Sequence, residues 1–191
     1  MELSDADIML RVQGGQFELF DRLVLRYRGA LLHAAWSKLG DRTWAEDVVQ
    51  ETFLAAFAAR HTFQPELSFR TWLWTILLNL CRRQWKRRAE RPQELFCPRF
   101  DGPATTVPEP VSHDGGLVHL LGTERREELL TLLARLPEPQ ADALRLRFFG
   151  GLPFAEIAQA MNSSVSGAKL RVKTGLQTLA QLFREQEGDT P

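Results

Sequence analysis

Between residues 92 and 122 the chain carries Pro92, Pro98, Pro103, Pro108 and Pro110, together with Gly102, Gly115 and Gly116. Each proline fixes φ and removes a backbone donor, so neither a helix nor a central strand runs through such a stretch. Whatever folds must lie before it or after it. The chain is therefore read as a folded segment 1–91, a linker 92–122 and a second folded segment 123–187.

On both sides of the linker the apolar residues recur at steps of three and four, the period of a helix with one buried face. From Trp44 to Ala59 the stripe is Val48, Val49, Thr52, Phe53, Ala56 and Phe57, while Asp47, Gln50, Glu51 and Leu54 repeat on another face. From Ser68 to about Arg88 it is Phe69, Trp72, Leu73, Ile76, Leu77 and Leu80. An earlier amphipathic stretch holds Phe17, Phe20, Leu23, Val24 and Tyr27. After the linker, Glu124–Leu136 stops at Pro137, and Pro139–Phe149 is closed by Gly150 and Gly151. A short helix to Met161 and a last helix from Val165 to about Gln186 follow. No stretch alternates with period two for long enough to make a strand. The expected fold is all-α, with two small helical domains.

Several functional classes fall away at this level. No apolar run approaches the roughly 20 residues that span a bilayer, so no membrane insertion is expected. The start, Met1-Glu2-Leu3-Ser4-Asp5, is acidic and lacks a signal peptide's basic and apolar segments. The expected location is cytoplasmic. Cys81 and Cys97 form no CxxC pair, and His33, His61, His113 and His119 are scattered. Neither a metal site nor a cofactor is expected. No nucleophile–base pair or phosphate-cradling GxxxxGK[ST] motif suggests an enzyme.

The formal net charge is zero, yet the charge is sorted along the chain. Arg82, Arg83, Lys86, Arg87, Arg88 and Arg91 face a single acid, Glu90, in the same ten residues, whereas the linker holds Glu94, Asp101, Glu109 and Asp114 against Arg99. Cations crowded on one helix end repel one another unless a polyanion is near. The tryptophans just before them offer faces for stacking on unpaired bases, and Asn79 offers a polar group for a base edge.

The last two helices have the layout of a helix-turn-helix. Asn162 tolerates the left-handed conformation of a tight turn, and Ser164 is placed to cap the final helix. Ala168, Val172, Leu176 and Leu179 fall within about 80° of arc and are expected to be buried. Ser166, Lys169, Leu170 and Lys173 point away, with Arg171 on the flank. A helix anchored on one side and basic on the other can enter the major groove.

These segments together resemble the bacterial RNA polymerase sigma factors, in particular the two-domain extracytoplasmic-function (ECF) group. Ala45-Glu-Asp-Val-Val-Gln-Glu-Thr-Phe-Leu54 resembles the helix that binds core polymerase. Phe69-Arg-Thr-Trp-Leu-Trp-Thr-Ile-Leu-Leu-Asn79 resembles the segment that melts and reads the minus-ten element. Leu133–Gln140 and Gly151–Ala158 resemble the domain that reads the minus-thirty-five element. The resemblance implies that Asp47, Gln50, Glu51, Phe53 and Leu54 dock on the β′ clamp helices, with Phe53, on the apolar stripe, supporting the helix. It assigns minus-ten DNA to the loop from Phe63 to Ser68, to Arg70, Thr71, Trp72 and Asn79, and to Arg82, Arg83, Lys86, Arg87 and Arg88. It assigns minus-thirty-five DNA to Ser164, Ser166, Lys169, Leu170, Arg171 and Lys173. The implied partners are core polymerase, through its β′ clamp helices and β flap, and promoter DNA. Many members of the group are also held by an anti-sigma factor. The alternative is a helix-turn-helix regulator acting without polymerase docking.

The resemblance is weakest in the helix-turn-helix. Pro153 stands where a serine or threonine cap is usual, Val165-Ser166-Gly167 where Glu-Gly-Thr is usual, and Thr174 where an arginine is usual. Gly167 and Gly175 each cost the helix about 1 kcal/mol against alanine. Leu170 replaces a small polar residue and is placed to meet a thymine methyl.

As a flexible coil the linker's ends would sit roughly 30 Å apart. Two DNA elements separated by two helical turns lie roughly 70 Å apart. Fully extended, the linker reaches roughly 100 Å. It spans the gap only when something holds it stretched. Tight promoter binding is therefore expected only with core polymerase present. A gel shift in which the isolated chain binds one promoter tightly and sequence-specifically would contradict this.

Overall fold

The computed structural model describes residues 3–89 and 123–188, which fall into two compact units. The linker and its acidic residues lie outside the described residues. Among the described residues all regular structure is helical, as expected.

The first unit contains α1 (Asp5–Gln13), α2 (Phe20–Leu39), α3 (Arg42–Ala58) and α4 (Phe69–Ala89), with 3₁₀ turns at Phe17–Leu19 and Arg60–Thr62. Local chemistry sets the ends. Ser4 and Asp7 form a reciprocal capping box on α1. Gly40 closes α2 at φ 70°, a left-handed conformation that costs glycine little. The Asp41 carboxylate accepts from the Trp44 N–H at 2.9 Å and starts α3 two residues before the expected Trp44. Helix α1 was not anticipated in the sequence, although Ile8, Met9 and Val12 are all fully buried.

Helix α4 departs from its expected stripe. Phe69, Leu73 and Leu77 are buried as expected, but so are Trp74, Leu78 and Cys81, while Ile76 and Leu80 are only half-buried. The reason is that α4 packs against α1, α2 and α3 together, so two adjacent rows of side chains are covered rather than one.

The second unit contains α5 (Thr123–Arg135), α6 (Glu138–Phe148), α7 (Phe154–Ala160) and α8 (Val165–Gly188). Inside α6 the buried Arg145 donates to the buried Asp142 at 3.0 Å. Breaking such a buried pair costs about 3–5 kcal/mol. Gly151 (φ 63°) and Asn162 (φ 48°) make the two left-handed turns that enter and leave α7. The Ser164 hydroxyl accepts from the Gly167 N–H at 3.0 Å and caps α8. The helix-turn-helix thus forms as read.

The buried face of α8 is turned from the expected one. Ala168 and Val172 are buried, but Leu176 is 42% exposed and Gly175 takes its place. At 100° per residue Gly175 lies about 20° from Ala168 and Leu176 about 80°. With no side chain at Gly175, α6 comes close: a Cβ there would lie 3.0 Å from Leu144 Cδ1, 3.2 Å from its Cγ and 3.4 Å from Gln140 Cβ. Gly175→Ala therefore gains about 1 kcal/mol of helix propensity but overpacks a fixed contact at about 1–3 kcal/mol. We expect a net loss of thermal stability, read as a lowered unfolding midpoint. A raised midpoint would mean that α6 yields freely.

Candidate functional site

The outer face of α3 assembles as read. Asp47, Gln50, Glu51 and Leu54 are all exposed on consecutive turns, with Leu54 63% exposed. Phe53 points the other way. It is buried, edge-on to Phe20 with ring centroids 6.4 Å apart. Phe20 in turn packs edge-on to Phe57 at 5.3 Å. This aromatic packing sets the rotation of α3 and hence the direction of the exposed row. Beside the row runs a groove of about 640 Å³, floored by Val24, Val49, Phe53 and Phe57 and rimmed by Asp47 and Gln50. Such a surface suits a partner that offers apolar side chains flanked by cations or amides.

The residues read for single-stranded DNA divide into two groups. Phe63 and Thr71 are buried, at 4% and 3% exposure. In this structure they shape the loop rather than present a surface. The Phe63 ring packs against Phe69 at 5.8 Å and Trp72 at 5.5 Å. The Thr71 N–H donates to the Ser68 hydroxyl at 3.3 Å, which starts α4. Between these anchors Gln64, Pro65, Glu66 and Leu67 are exposed. The other group lies on or near the surface. Trp72 is half-buried; Asn79, Arg82, Arg83, Lys86 and Arg87 are exposed along α4. Asn79 Oδ1 accepts from Arg82 at 3.4 Å. The side chain of Arg88 lies outside the described residues.

The three tryptophans of this helix have three different environments. Trp74 is fully buried, Trp72 half-buried and Trp85 52% exposed. Trp85, which the sequence reading did not single out, lies among the cations and is half exposed. Its position next to Arg82, Arg83 and Lys86 in the sequence was the available signal.

One contact joins two groups that the sequence reading kept apart. Arg83 of α4 forms an ion pair with Glu51 of α3. Both side chains are about half exposed, so the pair is screened by water.

In the second unit Ser166, Lys169, Leu170 and Lys173 are exposed on one side of α8, with Leu170 60% exposed. Lys169 Nζ lies 5.9 Å from the Phe154 ring centre and the Arg147 guanidinium 5.1 Å from it. Arg171 is half-buried; its Nη1 is buried without a hydrogen-bond partner and would lie 3.3 Å from a Cβ at Gly167. Gly167 therefore leaves room for the Arg171 head group. The Ser164 hydroxyl oxygen is engaged as the helix cap.

A partly buried polar cluster around Tyr27 links α1, α2 and α4. The Tyr27 hydroxyl donates to Asp5, which also pairs with Arg26, and the Tyr27 ring packs on Phe69 at 5.7 Å. Burial, followed by the Asp5 charge and hydrogen bond, pushes the Tyr27 hydroxyl pKa well up, against a smaller opposing effect of Arg70.

Two family descriptions match the chain: Sigma-70 region 2 over residues 23–91, and Sigma-70, region 4 over residues 126–179. The RNA polymerase sigma-H factor of Pseudomonas aeruginosa is 32% identical over 175 residues, which is 88% of each chain. The ECF RNA polymerase sigma-E factor of Escherichia coli K12 is 31% identical over 180 residues, 90% of each chain. Among solved structures, that of CnrH in complex with the cytosolic domain of CnrY has a TM-score of 0.70 at 25% identity, covering 97% of this chain and 99% of that one. The sigma factor RpoE of Bartonella quintana, solved with the anti-sigma factor NepR, shares the fold with a TM-score of 0.70 at 22% identity, over 86% of this chain and 96% of that one.

Tyr27 is the chain's one tyrosine, so its titration can be read directly. Its folded pKa lies above the unfolded value, so its contribution to stability is complete below the ordinary tyrosine value of about 10. That contribution is lost as pH rises beyond it, because the unfolded chain releases the proton first. We expect phenolate absorbance to rise only with alkaline unfolding, and Tyr27→Phe to flatten the loss of stability above that pH. A reversible phenolate signal from folded protein near the ordinary value would contradict the assignment.

Proposed function

Because the chain belongs to the sigma-70 family, in its extracytoplasmic-function group, we propose that its exposed faces divide the steps of transcription initiation among them. As a member of this family the protein binds core RNA polymerase and directs it to specific promoters, where it reads the minus-ten and minus-thirty-five elements and promotes melting. In our reading residues 1–91 dock on polymerase and handle melted DNA, 92–122 link, and 123–187 read the duplex upstream. Asp47, Gln50, Glu51 and Leu54 meet the β′ clamp helices, with Phe53 holding the row in place from behind.

The exposed loop 64–67, Trp72, Asn79 and the cations from Arg82 to Arg88 take the minus-ten strand. Trp85 joins them as a stacking face. Phe63, Ser68 and Thr71 brace the loop, and Arg70 acts beside them through Tyr27. Ser166, Lys169, Leu170, Arg171 and Lys173 face the minus-thirty-five element, with Ser164 fixing the start of their helix, while the β flap supports this unit. No step asks this chain to make or break a covalent bond, so it acts as a binding factor and not as an enzyme. Its place of action is that of its polymerase, the cytoplasm; no described helix is long and apolar enough to cross a membrane. The anti-sigma factor on the Bartonella quintana relative supports a partner of that kind here.

The observation that carries this reading is the unbroken exposed row Asp47–Gln50–Glu51–Leu54 on a helix whose other side is core. A helix-turn-helix regulator acting alone needs no such row, and that alternative is not favoured. Run-off transcription with core polymerase on a genomic fragment library tests the reading directly. Polar contacts to charged partners are worth roughly 1.5–3 kcal/mol each. Replacing Asp47, Gln50 and Glu51 together by alanine should therefore lower transcript yield by more than about a hundredfold at limiting polymerase. Unaltered transcription by a correctly folded triple variant would overturn it.

A further inference from the structure

The loop between Phe63 and Ser68 is exposed in its middle and fixed at both ends, and α1 holds the near end directly. At the far end the Ser68 hydroxyl caps α4, and Asp5 of α1 reaches Tyr27, which bears on Arg70. At the near end sits Gln13, the last residue of α1. Its Nε2 donates to the Phe63 carbonyl at 3.0 Å and to the Arg60 carbonyl at 2.7 Å. A primary amide nitrogen carries two protons, and both are used here.

The Phe63 carbonyl is where the backbone leaves the 3₁₀ turn in an extended conformation, φ −69° and ψ 130°, and becomes the loop. Helix α1 is a firm base for this hold. Ile8, Met9 and Val12 are fully buried and Asp5 is tied to Arg26 and Tyr27. Asp5 and Gln13 are eight residues apart, about 12 Å along a helix. Helix α1 therefore ties the near end of the loop to the core, and it lies before the residues that match the family description.

We propose that Gln13 is a positioning residue for promoter recognition, which sets the path of loop 63–68 by donating to the carbonyls of Arg60 and Phe63. The inference rests on the reading of that loop as a minus-ten element contact. A loop that must receive one base and refuse others depends on a fixed backbone, since small misplacements erode selectivity.

The test uses holoenzyme reconstituted from the full chain and core polymerase. The DNA is a promoter recovered from the run-off library and its single-base minus-ten substitutions. Gln13→Glu keeps the shape but has no proton to donate and sets a carboxylate against two carbonyls. Gln13→Met keeps the length without charge, and serves if the glutamate variant fails to fold. A third variant replaces Pro65, Glu66 and Leu67 by glycine and serine. The readout is the ratio of open complex on the native promoter to that on its most sensitive substitution, together with affinity for core polymerase. Inactive protein lowers both members of the ratio equally and cancels.

We expect both Gln13 variants to bind core polymerase as the parent does and to lose about tenfold in the ratio, the scale of one or two neutral hydrogen bonds. An unchanged ratio in both Gln13 variants, with a reduced ratio in the loop variant, would overturn the proposal and leave the loop reading standing. An unchanged ratio in the loop variant would remove the loop reading, and the proposal with it.

Discussion

Helix α3 is covered along one side by α2 and α4, and most of what the first unit presents to a partner depends on how it is rotated there. The rotation is fixed by aromatic edges: Phe53 against Phe20, and Phe20 against Phe57. Interiors pack at near-crystalline density, so a helix carrying two such rings cannot turn by even part of a residue without opening voids. The row Asp47, Gln50, Glu51 and Leu54 is the remaining surface of that constrained helix. A docking surface on an unlocked helix would have to order its backbone and side chains at each encounter, and this ordering would be subtracted from affinity.

The same helix also brings the two candidate surfaces of the first unit into electrical contact. Glu51 lies in the exposed row of α3, yet it reaches Arg83 in the basic end of α4. A half-exposed ion pair contributes about 0–1 kcal/mol. That is small beside the gain of either side chain from a charged partner of its own. The pair offsets one cation of the crowded end of α4 at little cost to either surface.

Most of the architecture was legible because it rests on short-range chemistry. The helical period, the prolines of the linker, and Asn162 and Ser164 of the helix-turn-helix each act within a few residues. What was not legible depends on neighbours distant in sequence. Helix α1 is nine residues long, and its three buried side chains make a weak pattern until α2 and α4 are in place. Trp74, Leu78 and Cys81 are buried because α4 has three neighbours. Phe63 and Thr71 match positions expected to contact DNA, and their burial places them in the frame of the loop. Motif matching locates a site along the chain, and only packing separates the side chains that touch a ligand from those that hold the touching ones still.

Helix α8 shows how a residue that looks like a defect can be a packing device. Read alone, Gly167 and Gly175 weaken a recognition helix. In the fold each sits under something that needs the space: Gly175 under Leu144 of α6, and Gly167 under the guanidinium of Arg171. The first draws α6 in so closely that the helix turns Leu176 to the surface. The second lets a long cation lie back along the first turn of α8, with one nitrogen buried and still lacking an acceptor. A buried donor without a partner is costly, and the packing around the first turn of α8 carries that cost. The propensity lost at the two glycines therefore sets the rotation of α8 against α6 and makes room for the Arg171 head group. This helix depends on its packing against α6 and α7 more than on its own tendency to form.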